Sequence, residues 1–508
     1  MWKRKKIQIL LLAKTRLKLA PSRYQENFCF YNLRPPAIER TPLAGLLLNI
    51  NYTLFLLVAS PWLIWRFFAK GKNKRGWHHK LGGRVRPRQS QSPCIWLHAV
   101  SVGEVNLLVP VLRELKQQDP NIEFVISTTT ETGFNLAQTR FPDTYTFFCP
   151  FDLTWAIKNT ISRLRPDMLV LAELEVWPNL IKICQKKEIP VVVINGRLSE
   201  KSFRGYQKAR WLIQGTFKRI SMIGTQNETY RNRFIRLGCN PEQVTITGNV
   251  KFDGLETVRD NPATKKLAHL IGLKPGTPVF VAGSTQLEED LLAVNAFREL
   301  ATEFSDFRLI LVPRHPERCA ALAKQIDQIG LPCLLRSKLP ASNNLADTQA
   351  RQSSLQPQPI ELNGVSTRIH PIVIVDVIGE LGAWWGCASA AYVGGSLGKR
   401  GGQNMMEPAA FGIPVSFGPN TENFKDIVHD LLANDAARVI ADKSGLKQFV
   451  DQVLRQPDWA SGLGQRAKNT VIHHQGASRR TAKLLFAVLK KQDAALASHS
   501  SQKPNQAA

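Results

Sequence analysis

The chain carries 508 residues, 44% hydrophobic and 21% charged, with 67 Lys and Arg against 40 Asp and Glu for a formal net charge of +27. That balance excludes a disordered or fibrous protein, and the length calls for two or more globular domains. Eight cysteines without a CxxC spacing argue against a disulfide scaffold or a zinc knuckle, and for reduced thiols packed as small core residues.

The positive charge is concentrated at the amino terminus. Residues 1–90 hold 19 Lys and Arg and two acids, Glu26 and Glu39. Such a basic arm suits nucleic acid or an anionic membrane surface. Within it, residues 43–68 (LAGLLLNINYTLFLLVASPWLIWRFF) carry one charge, Arg66. At about 1.5 Å per residue, a helix of this length crosses a hydrocarbon core of about 30 Å. Trp62, Trp65, Phe67 and Phe68 stand where an interfacial aromatic belt belongs, and the basic run KGKNKRGWHHK follows. The expectation is a basic extension over 1–42 and a membrane-anchor helix over 43–70. The alternative is a buried helix of a soluble domain. No small-residue cleavage site follows, which argues against a removed secretory signal.

After Pro93 strands and helices alternate. CIWLHAV (94–100), EFVISTT (123–129), MLVLAE (168–173), PVVVING (190–196), SMIGTQ (221–226) and VTITGNVKFD (244–253) are apolar or β-branched runs with helical patterns between them. This rhythm predicts a parallel, doubly wound sheet over 90–255. Residues 254–276 read as a connector. The rhythm restarts with PVFVAGST (278–285), FRLILVPRHPER (307–318), PIVIVDVIGEL (371–381), SAAYVGGS (389–396) and IPVSFGP (413–419), which predicts a second Rossmann-like domain over 275–490. A ligand cleft is expected between the two. Residues 338–368, rich in Gln, Ser, Asn and Pro, read as a flexible surface insertion, and 491–508 as a disordered tail.

Five stretches could carry chemistry. In HAVSVGEV (98–105), Gly103 permits a tight strand-to-helix turn and puts Glu104 near a helix N-terminus, whose positive potential is expected to keep the carboxylate ionised as a general base. A plain helix cap is the alternative. AELEVWPNL (172–180) sets Glu173 and Glu175 two apart at a strand end, before Pro178 in the first turn of a helix. In GNVKFD (248–253), Lys251 could neutralise a departing phosphate. LVPRHPER (311–318) follows an apolar run and offers Arg314 as a fork for phosphate, with His315 beside it. VGGSLGKRGGQNMMEPAAFGIP (393–414) places five glycines within 394–402, expected to free backbone N–H groups for a ligand oxygen. Asn404 and Glu407, three apart, would share a helix face, and a Glu in that place could accept two ribose hydroxyls. Neither GxxxxGK[ST] nor GxGxxG fits these glycines. With no DxD, no HExxH and no paired His ligands, no metal site is implied.

Together, HAVSVGE, ELEVWPN, INGRLS, TQNE, TGNVKFD, LVPRHPER, IGEL, YVGGSL, RGGQNMMEPA and FGPNTENFKDI resemble, in order, the Kdo (3-deoxy-D-manno-octulosonic acid) transferases of lipopolysaccharide synthesis. The resemblance runs from about 94 to 430 and leaves the first 42 residues and the 338–368 insertion aside. It implies an α/β protein of the GT-B class, two Rossmann-like domains facing across a cleft behind an amino-terminal anchor. It further implies an inverting glycosyltransferase at the cytoplasmic face of the inner membrane, with CMP-Kdo as donor, a lipid A precursor as acceptor and no cofactor or metal. By that likeness Glu104 is the catalytic base. Glu173 or Glu175, together with Lys251, lines the transition-state region. Pro313, Arg314, Ile378, Gly379, Glu380, Asn404, Met405, Met406 and Glu407, with Ser396 as a neighbour, form the CMP pocket. Leu174 stands where the family pattern suggests a Thr, and Met405 and Met406 also depart from it. Two readings compete. One is another GT-B enzyme using a UDP-sugar and a lipid acceptor. The other is a nucleic-acid binder, disfavoured because the basic residues flank an apolar segment and no RRM, HTH or KH pattern is present.

Overall fold

The computed structural model describes residues 75–339, 353–362 and 365–501. The extension expected at 1–42, the anchor expected at 43–70 and the middle of the 338–368 insertion lie outside the described residues. Among the described residues no helix is long and apolar enough to cross a membrane.

The described chain is α/β with two seven-stranded sheets. The first contains β1 (Cys94–His98), β2 (Glu123–Thr128), β3 (Tyr145–Phe148), β4 (Met168–Ala172), β5 (Val191–Gly196), β6 (Met222–Thr225) and β7 (Val244–Ile246), in the order β3-β2-β1-β4-β5-β6-β7. Every pairing in it is parallel. Strands β1, β4 and β5 are buried along their whole length, as continuous apolar runs covered on both faces must be.

The second sheet contains β8 (Val279–Thr285), β9 (Arg308–Pro313), β10 (Cys333–Leu335), β13 (Ile372–Ile374), β14 (Ala390–Val393), β15 (Val415–Phe417) and β16 (Ala437–Val439), in the order β10-β13-β9-β8-β14-β15-β16. It too is parallel throughout. Between β10 and β13, strands β11 (Gln358–Leu362) and β12 (Val365–Ile369) pair as an antiparallel hairpin. Part of the segment expected to be a flexible surface insertion therefore pairs as regular strands. Its alternation of β-branched and polar residues, as in VSTRI, supports a two-stranded ladder despite the Gln and Ser around it.

Strand order reverses between β1 and β4 in the first sheet and between β8 and β14 in the second. Ligands in such sheets bind beyond the carboxyl ends of the strands at these switch points. Helix α1 (Val102–Gln118) follows β1 and helix α2 (Pro178–Lys186) follows β4. Helices α3 (Leu287–Leu300), α4 (Leu381–Cys387) and α5 (Met406–Ala410) surround the second switch point.

Two long helices close the chain, α6 (Pro457–His473) and α7 (Ala477–Ser501). The sequence grouped residues up to 490 with the second domain, but α7 packs on α1, β5 and β6 of the first. The physical reason is an apolar stripe. Leu484 and Leu485 are fully buried, and burial of each such side chain stabilises by about 1.5–3 kcal/mol. The crossover is capped by Asp253, whose carboxylate accepts hydrogen bonds from the Gly476 N–H at 2.7 Å and from the Ser478 N–H. The helix also runs on to Ser501, past the expected start of the tail.

Candidate active site

The first group of functional side chains gathers at the β1/β4 switch point. After β1 the chain turns through Ser101, whose extended backbone caps α1, so Glu104 is the third helical residue. Its carboxylate folds back on that cap. Val100 N–H donates to Oε2 at 2.7 Å and the Ser101 hydroxyl to Oε1 at 3.3 Å. The capping geometry is thus realised, yet the group is not simply an ionised cap. Burial, with the nearby charges of Glu173 and Glu175, outweighs the pull of the Val100 N–H and raises the carboxyl to about 7. The expectation of a fully ionised Glu104 is corrected accordingly, because desolvation exceeds the stabilisation from the helix end.

Glu173 follows the last residue of β4 in a left-handed backbone, φ 57°, with its N–H bonded to Ile194 O at 2.9 Å. Its Oε1 lies 3.0 Å from Lys251 Nζ. Glu175 sits close by, and burial pushes its carboxyl up, with the charge of Glu173 adding to the shift and the Trp177 side chain opposing it. Lys251 stands on the short turn Val250–Phe252, which packs against α1. Two Asn side chains fix that turn. Asn249 Oδ1 accepts from the Lys251 N–H at 3.1 Å, and buried Asn195, at the end of β5, accepts from the Val250 N–H at 3.0 Å. The structure therefore brings Glu104, Glu173, Glu175 and Lys251 into one electrostatic group: three carboxylates and one ammonium.

The second group lines a cavity of about 480 Å³ at the β8/β14 switch point. Of the residues predicted for it, Arg314, Gly379, Asn404 and Glu407 line the wall. Asn404 Nδ2 donates to Glu407 Oε1 at 2.9 Å, and Asn404 Oδ1 accepts from the Met406 N–H at 3.1 Å, so the Asn fixes the start of α5 and the carboxylate together. Burial raises the Glu407 carboxyl, and the bond from Asn404, with the Trp385 side chain nearby, offsets this only in part. A carboxylate so placed favours ligand hydroxyls that donate to it.

The other predicted pocket residues are not on the wall. Met405 and Met406 are buried in the apolar core, because the turn into α5 rotates their side chains away from the cavity. Ser396 is fully buried, with its hydroxyl donating to Val393 O at 2.7 Å and accepting from the Gly418 N–H at 2.7 Å. Glu380 is held by a bidentate pair with Arg336 at 3.0 and 2.9 Å. Ile378 is 88% exposed, and Pro313 ends β9 as a buried residue just before Arg314.

The glycine-rich loop holds a different surprise. Its N–H groups were expected to await a ligand oxygen, but three in a row already have an internal acceptor. Buried Glu289, in the first turn of α3, accepts from Gly395 N–H at 2.7 Å, Ser396 N–H at 2.9 Å and Leu397 N–H at 3.0 Å. It also accepts from the Gln286 N–H at 2.8 Å and the Tyr392 hydroxyl at 3.1 Å. An internal carboxylate fills the anion cradle and shapes the loop that leads to Asn404.

Ser284, Glu256, Trp385 and Gln403 also line the cavity and were not among the predicted residues. Glu256 belongs to the connector that continues from Lys251, so one short stretch of chain serves both groups. The connector's Pro and Gly content marks its turns, and no motif marks its acid.

A family model described as "3-Deoxy-D-manno-octulosonic-acid transferase (kdotransferase)" matches residues 75–254. A 3-deoxy-D-manno-octulosonic acid transferase of Haemophilus influenzae is 31% identical over 400 residues, covering 78% of this chain and 87% of that one. One from Chlamydophila psittaci is 28% identical over 446 residues, covering 87% and 96%. The crystal structure of a glycosyltransferase from Rickettsia africae shares the fold at a TM-score of 0.50 and 11% identity, covering 79% of this chain and 99% of that one. With nearly a third of positions identical across most of both chains, this protein belongs to the 3-deoxy-D-manno-octulosonic acid transferase family.

Proposed function

We propose that this chain transfers Kdo from CMP-Kdo to a lipid A precursor, with inversion at the anomeric carbon and without a metal ion, as a GT-B enzyme on the cytoplasmic face of the inner membrane. The observation that carries the reading is the group at the β1/β4 switch point, in a chain of this family. Glu104 has a carboxyl raised to about 7 by burial and by Glu173 and Glu175, so it exchanges a proton near working pH. A base so matched contributes about 10²–10⁴-fold in rate.

In this mechanism Glu104 takes the proton of the acceptor hydroxyl as that oxygen bonds to the anomeric carbon. The bond from that carbon to the CMP phosphate oxygen breaks, and its electron pair leaves with CMP. Inversion needs only this one carboxylate, because no covalent sugar–enzyme intermediate forms. Lys251, paired with Glu173 at 3.0 Å, supplies positive charge where negative charge develops. The CMP leaving group holds a single phosphate, so one or two cationic donors such as Lys251 and Arg314 suffice to stabilise its departure. Glu407 and Asn404 receive the ribose hydroxyls. The basic, apolar leader supports attachment to an anionic bilayer, where a phosphorylated lipid acceptor resides.

The test is CMP release from CMP-Kdo by purified protein, with and without a tetraacylated lipid A precursor. Release that requires the acceptor supports the proposal. Release with UDP-sugars in place of CMP-Kdo, or none under any acceptor, overturns it.

A further inference from the structure

Among the described residues, six that are not glycine adopt a left-handed backbone: Arg165, Glu173, Glu188, Asn195, Ser284 and Asp435. Arg165, Glu188 and Asp435 lie in turns just after helices, where that conformation is ordinary. Glu173, Asn195 and Ser284 instead lie at the carboxyl ends of β4, β5 and β8. Strained backbone that clusters at ligand-facing strand ends marks function. Glu173 pairs with Lys251 and Asn195 holds the turn that carries it. Ser284, φ 54°, has no such internal task.

Ser284 is a bulge. The β8/β9 ladder runs in register to Gly283 opposite Val312, then shifts so that Thr285 faces Pro313 and Ser284 has no partner. Its neighbours enforce this. A side chain at Gly283 would overlap the Trp385 ring, and Gly394 leaves no room for a Cβ against the Ser284 carbonyl. Thr285 is buried and bonded to buried Asp290, which Arg318 pairs at 2.9 Å. The Thr285 carbonyl accepts the Arg314 N–H at 3.1 Å, which fixes Arg314 beside the bulge. Bulges next to sites re-aim a side chain, and this one leaves Ser284 on the cavity wall with Arg314, Gln403 and Glu407. Its hydroxyl has no hydrogen-bond partner among the described residues.

We propose that Ser284 is a donor-binding residue, with its hydroxyl donating to an anionic oxygen of the sugar nucleotide, on either the phosphate or the sugar carboxylate, next to the Arg314 guanidinium. This inference rests on the proposed function and adds to it a contact that none of the sequence motifs supplied.

Two variants test it, Ser284→Ala and Ser284→Gly. Glycine accepts the left-handed backbone freely, so Ser284→Gly removes the hydroxyl while relaxing the turn and raises the melting temperature. A purely structural Ser would then bind donor as well as the unmodified chain or better. If the hydroxyl meets the phosphate, CMP affinity by calorimetry falls about tenfold or more in both variants. If it meets the sugar carboxylate, CMP affinity is kept while KM for CMP-Kdo rises about tenfold with kcat less affected. Either result supports the contact and identifies the oxygen. CMP affinity and KM both within about twofold of the unmodified chain in Ser284→Gly overturn it. An unmodified chain that neither binds CMP nor consumes CMP-Kdo overturns the functional reading along with it.

Discussion

Lys251 Nζ lies 3.0 Å from Glu173 Oε1 and ties the turn after β7 to the strained end of β4, beside Glu104. The pair is partly exposed, with 38% and 26% of the two side chains accessible, so its contribution to stability is about 0–1 kcal/mol. Under the proposed function its place among three carboxylates serves catalysis. Lys251→Met is expected to leave the melting temperature within a few degrees and to lower kcat by about 10²–10³-fold. Thermal unfolding and CMP release from the same preparation check both halves. A large stability loss with normal turnover would reverse the assignment.

The shifted Glu104 carboxyl predicts two opposite pH effects. Activity needs the deprotonated base, so kcat/KM rises with pH and levels off above about 7. Stability moves the other way. The folded carboxyl holds its proton more tightly than the unfolded one, whose value is near 4.5, so the group's contribution is present at low pH and is lost as pH climbs from there through about 7. Glu104→Gln should therefore be more stable than the unmodified chain at pH 8, with the difference shrinking towards pH 5. Denaturant melts at the two pH values measure this. A stabilising effect that grows on acidification would contradict the burial argument.

Much of the architecture was legible in the sequence, because long buried strands such as MLVLA and VVVIN announce themselves by continuous apolar runs. The edge strands β3, β10 and β16 were not, since they are short and, in β10 and β16, only partly buried, so no long apolar run marks them. The gathering of Glu104, Glu173, Glu175 and Lys251 at one place was legible from motifs, while the state of Glu104 was not. A helix-end argument sees the local dipole but not the desolvation that Glu173 and Glu175 accompany. The glycine loop misled for a related reason. The loop's N–H groups can be counted in sequence, but the internal acceptor of three of them, Glu289, lies more than a hundred residues earlier. Ser284 gave no signal at all, because its bulge is imposed by Trp385 and Gly394 from other elements.

Glu289 gives the sharpest stability prediction. Glu289→Ala strips the acceptor from four backbone N–H groups and a buried hydroxyl at once. Unsatisfied buried donors cost about 1–3 kcal/mol each, so a loss of at least about 3 kcal/mol is expected in denaturant unfolding, with CMP affinity falling too as the loop to Asn404 loosens. A loss under about 1 kcal/mol would mean that the loop does not depend on this carboxylate.

Glu407 should read the ribose. The unmodified chain is expected to bind 2′-deoxy-CMP about tenfold more weakly than CMP, and Glu407→Gln should remove most of that preference, since an amide is a weaker acceptor than a carboxylate. Calorimetric titration with the two nucleotides measures the ratio. An unchanged ratio in Glu407→Gln would place the ribose elsewhere.

The central claim is that Glu104 is the base of a Kdo transfer, and the mass of the acceptor tests it most directly. A lipid A precursor incubated with CMP-Kdo and the purified chain should gain one or more Kdo residues, and with Glu104→Gln at the same concentration should gain essentially none over the same time. Acceptor modified by Glu104→Gln at the rate of the unmodified chain would contradict the account.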